Sequence, residues 1–260
     1  MSRAGEPHDV CHHGSATRGQ LRVYLGVAPG AGTTCALLSE GHRRAERGTD
    51  VVVAAVQTHG RAGTAGLLDG LEIIPPVTPA SQDAVAGEMD LCAVLARRPQ
   101  VALVDELAHR NPPGADHATR WQDAGELLAA GIDVISTASI GQLDTFTGVV
   151  EKITGVAPQQ TVPDAVVRAA GEIELVDPAP EMLRDRMASG QIYPPGQAEE
   201  ALAGWFRLGP LSTVRELALL WLAVTRAEDS RHYHPGDRSR DGWRSALLNR
   251  EVLASRGEGR

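Results

Sequence analysis

Short apolar runs alternate with helix-like segments along most of this chain. The run at 50–56 is rich in β-branched residues and is typical of a strand buried on both faces of a sheet. Strands that alternate with helices favour a parallel sheet with right-handed crossovers. We therefore predict an α/β fold with strands at 21–26, 50–56, 71–74, 101–104 and 134–137, and with helices at 33–47, 84–98, 120–130 and 142–153.

The pattern changes beyond Thr161. A helix at 164–170 and a strand at 173–176 are expected to finish the sheet, and helical segments follow at 179–188, 197–206 and 212–227. The last of these carries an apolar stripe at helical spacing, formed by Leu211, Val214, Leu217, Ala218 and Trp221. We predict a disordered arm at 1–20, a P-loop-like α/β domain at 21–178, a helical appendix of the same domain at 179–227 and a flexible tail at 228–260.

The acidic composition excludes some classes of partner. The formal net charge is -8, which is unsuited to a protein that neutralises nucleic acid phosphates. No apolar run reaches the ~20 residues of a membrane span, and residues 1–20 lack the apolar core of a signal peptide. We therefore expect a cytoplasmic protein with no membrane span and no nucleic acid partner. Cys11, Cys35 and Cys92 are widely spaced and are expected to be reduced thiols.

A glycine-rich turn follows the first predicted strand. The segment reads Gly-Val-Ala-Pro-Gly-Ala-Gly-Thr-Thr over residues 26–34 and runs into a predicted helix. Such a turn directs backbone N–H groups towards a phosphate, and the helix N-terminus adds its positive dipole end. The predicted nucleotide-binding residues are Pro29, Gly30, Ala31, Gly32, Thr33, Thr34 and Cys35, together with Arg61 from a later loop. The alternative is a glycine turn that only packs a helix close to a strand.

The turn departs from the P-loop pattern G-x-x-x-x-G-K-[ST]. Gly32 and Thr34 fit, but the first glycine position falls on Val27 and the lysine position is Thr33. The only lysine of the chain, Lys152, is far away in sequence. Loss of this charged contact is expected to weaken binding of ATP or another nucleotide, with Mg²⁺, or to abolish it.

Two acidic residues end the strand at 101–104. In a P-loop protein Asp105, together with Thr34, would help to hold Mg²⁺ through the nucleotide, and Glu106 would orient an attacking water as the catalytic residue. Both acids and the glycine turn are expected at the carboxyl ends of parallel strands, where open α/β sheets bind ligands.

Several longer strings resemble the KdpD sensor domain family. They are Leu-Arg-Val-Tyr-Leu-Gly at 21–26, Thr-His-Gly-Arg at 58–61, Val-Asp-Glu-Leu-Ala-His at 104–109, Arg-Trp-Gln-Asp at 120–123 and Glu-Lys-Ile-Thr-Gly-Val at 151–156. The resemblance covers about 21–227 and implies a cytosolic sensory domain with Walker-type nucleotide motifs. In full-length relatives it precedes a universal-stress-like domain, transmembrane helices and a histidine kinase core, and the system regulates potassium uptake. Without those later parts, we expect no autophosphorylation by this chain.

The departures from the family cluster at polar positions. Thr33 replaces the lysine, Gln57 replaces a glutamate, and Ser139-Ile140-Gly141-Gln142 replaces an Asn-x-Gln-His run. We therefore predict a sensor or regulatory module of a potassium- or osmo-responsive two-component system. It would bind nucleotide weakly and act by docking to a sensor histidine kinase or another signalling protein.

Two enzymatic alternatives remain. The first is an active Mg-dependent NTPase or phosphotransferase, in which Arg61 would substitute for the lysine. The second is a dinucleotide-dependent oxidoreductase, which the sequence disfavours because Cys35 stands where the third glycine of G-x-G-x-x-G would fall.

Overall fold

The computed structural model describes residues 17–77 and 88–233, with backbone alone for 228–233. Most of the predicted arm at 1–20, the start of the predicted helix at 84–98 and most of the predicted tail at 228–260 lie outside the described residues. The described strands are β1 (Leu21–Gly26), β2 (Val51–Ala55), β3 (Glu72–Ile73), β4 (Val101–Val104), β5 (Asp133–Ser139) and β6 (Glu172–Val176).

These strands form one sheet in the order β3-β2-β4-β5-β1-β6. Every pairing within it is parallel, so the predicted α/β class is confirmed. β5 lies between β1 and β4, although β4 and β5 are the later strands in the chain. The carboxyl ends of β1, β5 and β4 therefore lie side by side at one edge of the sheet.

The described helices are α1 (Thr33–Ala45), α2 (Ala62–Gly66), α3 (Leu91–Arg97), α4 (Arg120–Ala129), α5 (Thr147–Thr154), α6 (Asp164–Arg168), α7 (Pro180–Ala188), α8 (Pro195–Ala203) and α9 (Leu208–Tyr233). Helices α1 to α6 lie in the connections between these strands, and the other three described helices follow β6.

The core is built from aliphatic side chains where α1 packs on the sheet. Leu37 and Leu38 of α1 are fully buried and share a cluster with Val53 and Leu103 of β2 and β4. Gly41 lets the helix approach closely, because a Cβ built there would lie 2.5 Å from Leu103 Cδ1. This packing fixes α1, and with it the turn before α1, over the carboxyl edge of the sheet.

Two predicted helices begin later than the sequence pattern indicates. α3 starts at Leu91 because the Asp90 carboxylate caps it, accepting a hydrogen bond from Ala93 N at 2.8 Å. The predicted helix at 142–153 opens with the 3-10 turns Ile140–Gln142 and Asp144–Phe146, and α5 follows them.

The chain divides into two compact units at Arg215 and Glu216. The first contains the sheet and α1–α8. The described part of the second is the later portion of α9, where Ala218, Trp221 and Thr225 are buried. Within the described residues, Leu208–Ala227 is long and apolar enough to cross a membrane, by length and composition only. Core helices of soluble proteins share this length and composition, so the expected absence of a span stays a prediction.

Candidate functional site

The glycine loop, residues 26–34, joins β1 to α1. Gly30 and Gly32 have φ angles of 80° and 106°, a backbone region that disfavours residues with a Cβ. Gly32 is the N-cap of α1 and has no side chain to bind the N–H groups of the first turn. The loop therefore leaves those N–H groups available to an anion.

Thr34, in the first turn of α1, contacts the acid at the end of β4. Its hydroxyl donates to Asp105 Oδ2 at 3.1 Å and lies 3.3 Å from Oδ1. The Asp105 carboxylate is fully buried and also accepts hydrogen bonds from Thr137 Oγ1 at 2.6 Å and from Gln57 N at 3.3 Å. The first turn of α1, the segment just after β2, and β5 thus all contribute a hydrogen-bond donor to the carboxylate that follows β4.

Burial raises the pKa of the Asp105 carboxyl above its ordinary value, and the hydrogen bond from Thr137 opposes this shift. A bound cation would offset the cost of keeping this carboxylate charged. A threonine hydroxyl and a carboxylate are oxygen ligands of the kind that Mg²⁺ prefers, usually together with substrate phosphates. The donors present therefore fit Mg²⁺ bound with a nucleotide.

Glu106 adopts a strained backbone conformation next to this carboxylate. Its φ is 56°, in the left-handed region that non-glycine residues rarely occupy. Its N–H donates to Thr137 Oγ1 at 2.9 Å, and its Oε1 lies 3.0 Å from His59 Nε2. His59 also has a positive φ, of 50°. Two strained residues thus face each other across the mouth of the site.

The two side chains form a mutually stabilised pair. The hydrogen bond to Glu106 raises the pKa of His59 above its ordinary value. Burial acts to raise the pKa of Glu106, but the hydrogen bond from His59 and the surrounding positive charges lower it overall. An ionised Glu106 held in this way can accept a further hydrogen bond at the strand end.

A buried arginine forms a hydrogen bond with the backbone just after β4. Arg120 is 1% exposed, and its Nη1 donates to the backbone oxygen of Asp105 at 3.1 Å. Its Nη2 donates to Glu88 Oε2 at 3.2 Å, and His109 Nε2 lies 3.0 Å from the same oxygen. This network fixes the direction in which the strand ends.

One further arginine contacts the glycine loop, and another binds the segment that follows α7. Arg186 of α7 donates from Nη1 to the carbonyl oxygens of Gly30 at 2.9 Å and Ala31 at 3.3 Å. Arg61 donates from Nη2 to Ile192 O at 3.1 Å. Among the described residues its Nε atom is buried without a hydrogen-bond partner.

A family model for the KdpD osmosensitive K⁺ channel His kinase sensor domain matches residues 17–225. The chain belongs to this family. Among proteins named sensor protein KdpD, that of Mycobacterium tuberculosis (strain H37Rv) is 54% identical over 82% of this chain and 25% of its own length. That of Escherichia coli (strain K12) is 44% identical over 89% of this chain and 26% of its own length.

A putative sensor protein KdpD of Synechocystis (strain PCC 6803) is 44% identical over 83% of this chain and 58% of its own length. This KdpD sensor domain chain thus spans about a quarter of the length of the first two relatives and less than two thirds of the third.

The structure brings most predicted site residues of this KdpD family member together. Pro29 to Gly32 lie in the turn before α1, Thr33 and Thr34 begin α1, Thr34 contacts Asp105, and Glu106 follows Asp105 directly. The side chain of Cys35 instead faces α2, with Sγ 3.8 Å from Thr64 Oγ1. The Arg61 guanidinium binds a backbone carbonyl near α7 rather than one in the glycine loop.

Sequence reasoning did not identify several residues of the site, among them Thr137, Arg120 and Arg186. The Thr137 hydroxyl was detectable in principle, because a polar residue near the end of a predicted buried strand is unusual. Arg186 gives no local signal, since it lies 156 positions from Gly30.

A small apolar cavity lies behind the glycine loop. It measures about 50 Å³ and is lined by residues that include Val27, Pro29, Trp205 and Leu211. Ligand pockets usually measure at least ~300 Å³, so this cavity does not hold a nucleotide base. Over residues 17–77 and 88–233 there is also no group of three or more His, Cys, Asp or Glu side chains that could hold a metal ion. A cation at Asp105 would therefore need further ligands from a bound phosphate or from water.

Proposed function

We propose that this chain is a cytoplasmic sensor or regulatory domain of a potassium- or osmo-responsive two-component system. It binds a nucleotide with Mg²⁺ weakly at residues 29–35 and acts through contacts with a sensor histidine kinase or another signalling protein. Family membership supports the sensory role. The contact between Thr34 and Asp105 is the observation that carries the nucleotide site.

The contact matters because it brings the group that would bind the phosphates next to the group that would bind the cation. The glycine loop offers backbone N–H groups to phosphate oxygens. Thr34 and Asp105 offer a hydroxyl and a carboxylate to the cation that balances those phosphates. A turn that served packing alone would not require a buried carboxylate against the first helical turn.

Weak affinity follows from the side chain at position 33. Thr33 occupies the place of the P-loop lysine, and its Cγ2 packs over Gly26, where a built Cβ would lie only 2.9 Å away. A charge-assisted contact contributes roughly 1.5–3 kcal/mol. Its loss weakens binding by about ten- to a hundred-fold.

Titration calorimetry with Mg-ATP tests the proposal, using the native protein beside Thr33→Lys. We expect weak binding by the native protein and at least roughly tenfold tighter binding by the variant. Binding by the variant alone would mean that this copy relies on protein contacts only. Failure of both to bind would remove the nucleotide site, while the sensory role would remain to be tested by capture with the cognate kinase.

An active Mg-dependent NTPase is the second candidate. The strained backbone of Glu106, beside Asp105, favours it, because such strain clusters at functional sites. Phosphate release by the native protein, abolished in Glu106→Gln while Mg-ATP still binds, would establish this activity. Equal release by both proteins would exclude Glu106 as the group that orients water.

A further inference from the structure

Arg186 lies against the glycine loop although it belongs to α7, far along the chain. Its Nη1 donates to the carbonyl oxygens of Gly30 and Ala31. The same atom would lie 3.8 Å from a Cβ built at Gly32. The guanidinium therefore spans the three loop residues that precede Thr33, the position that lacks a lysine.

Among the described residues, no carboxylate forms an ion pair with Arg186. Its side-chain hydrogen-bond partners among the described residues are the two loop carbonyls and the Met182 sulfur, and none of them is a carboxylate. An arginine has five N–H donors in a planar fork that matches phosphate oxygens. The two loop carbonyls accept from Nη1, so other N–H groups of the same guanidinium can still donate to a phosphate.

The helix that carries Arg186 is fixed to the loop by close packing. Ile192, which follows α7 and is 6% exposed, packs so tightly on Gly30 that a Cβ there would lie 2.3 Å from its Cδ1. The Ile192 carbonyl accepts from Arg61. Arg61 is thus used to hold this segment, whereas Arg186 is the arginine that reaches the loop itself.

We propose that Arg186 replaces the missing lysine and binds the terminal phosphates of a nucleoside di- or triphosphate. The inference rests on the proposed nucleotide site and adds the residue that supplies its positive charge. It also places the charge on a different element. A phosphate held by the loop would be held by α7 as well, so that binding links the sheet to the helices that follow it.

The test compares Arg186→Gln with the native protein by calorimetry, using Mg-ATP, Mg-ADP and AMP. Glutamine keeps an N–H donor for the loop carbonyls but removes the charge. We expect the Kd for Mg-ATP to rise by about tenfold or more and the Kd for AMP to change little. Arg184→Gln is the matched control, because Arg184 lies on the same helix and donates to Phe206 O instead. Thermal unfolding by circular dichroism checks that each variant is folded.

The double variant Thr33→Lys/Arg186→Gln distinguishes two roles of Arg186: supplying positive charge to the phosphates, or only holding the loop in place as a brace. If Arg186 stands in for the lysine, the new lysine restores most of the Mg-ATP affinity that Arg186→Gln loses. Equal weakening for ATP, ADP and AMP, without rescue, would overturn the inference and leave Arg186 as a brace. Unchanged ATP binding in Arg186→Gln would also overturn it, with the proposed site intact. If neither the native protein nor Thr33→Lys binds, the proposed site fails and the role of Arg186 with it.

Discussion

The hydroxyl of Thr34 donates to the carboxylate of Asp105 across 3.1 Å, although the two residues are 71 positions apart. The contact connects the first turn of α1 to the end of β4, and β5 contributes Thr137 to the same carboxylate. The stability of this arrangement and its ability to bind a cation can be measured separately.

Asp105→Asn is expected to leave the free energy of unfolding within about 1 kcal/mol of the native value. The amide has the same shape, the threonine hydroxyls can reorient towards it, and a buried charge is removed. Asp105→Ala should lose roughly 1–3 kcal/mol, because Thr137 Oγ1 and Gln57 N lose their acceptor. Urea unfolding at neutral pH measures both. An equal loss in the two variants would show that the carboxylate charge itself stabilises the strand end.

The stability difference between the native protein and Asp105→Asn should depend on pH. Because burial raises the pKa of Asp105 in the folded state, its stabilisation is complete below the ordinary value of 3.8 and is lost as pH rises through the folded pKa. The amide introduced by Asp105→Asn does not titrate, so we expect this variant to gain stability relative to the native protein as pH rises. A difference that stays constant with pH would contradict the raised pKa.

The pair of His59 and Glu106 predicts a second titration. The folded pKa of His59 is raised, so its contribution is full below 6.5 and is lost as pH rises through the folded value. The folded pKa of Glu106 is lowered, so its contribution is full above 4.5 and is lost as pH falls. The pair therefore stabilises most between 4.5 and 6.5. In Glu106→Gln, the NMR-measured pKa of His59 should fall towards 6.5, and no change would show that the hydrogen bond is absent in solution.

Glu40 in α1 is buried among three arginines, Arg22, Arg43 and Arg44. Burial acts to raise its pKa, but these arginines lower it to about 2. Glu40→Gln should lose about 1–3 kcal/mol of unfolding free energy at neutral pH, because the arginines lose a charged acceptor. The exposed Glu46→Gln is the control and should change little.

The stabilisation by Glu40 should also disappear in acid. The stabilisation by Glu40 is present above 4.5 and is lost as pH falls through about 2. The native protein and Glu40→Gln should therefore converge in stability over that interval. A gap that persists at the acidic end would mean that Glu40 contributes through packing rather than charge.

Two glycines separate backbone strain from steric conflict. Gly48 has a φ of 85° with no heavy atom within 4 Å of a built Cβ, whereas Gly30 has a φ of 80° and meets Ile192. Gly48→Ala should cost about 1 kcal/mol from strain alone, and Gly30→Ala should cost more. Adding Ile192→Ala to Gly30→Ala should remove the conflict but leave the strain. Equal losses at Gly30 and Gly48 would show that the contact with Ile192 is loose.

The sequence pattern predicts the α/β class, which the structure confirms, and it places the glycine loop and the two acids at the same edge of the sheet. Buried runs such as 101–104 and the glycine loop are local signals, and parallel strands bring their carboxyl ends to one edge. The meeting of Thr34 and Asp105 follows from those two facts. The predicted helix boundaries were less accurate. At α3 the helix begins after a single capping residue, Asp90, and the periodic pattern of apolar residues does not reveal such a cap.

The rest depended on contacts that no local pattern encodes. Arg186 reaches Gly30 only because α7 packs beside the loop, and Arg61 is taken up by Ile192 O for the same reason. The left-handed backbone of Glu106 is imposed by Thr137, which binds its N–H, and by His59, which binds its side chain. Each is a tertiary contact between residues distant in the chain.

The place of β5 between β1 and β4 also sets the order of events during synthesis. A nascent chain that has emerged only as far as the two acids after β4 already contains the glycine loop, yet it lacks the strand that separates β1 from β4. The ribosome must release residues through Ser139 before β1 and β4 reach their final spacing. Until then the two acids and the loop cannot reach the arrangement that the folded domain shows.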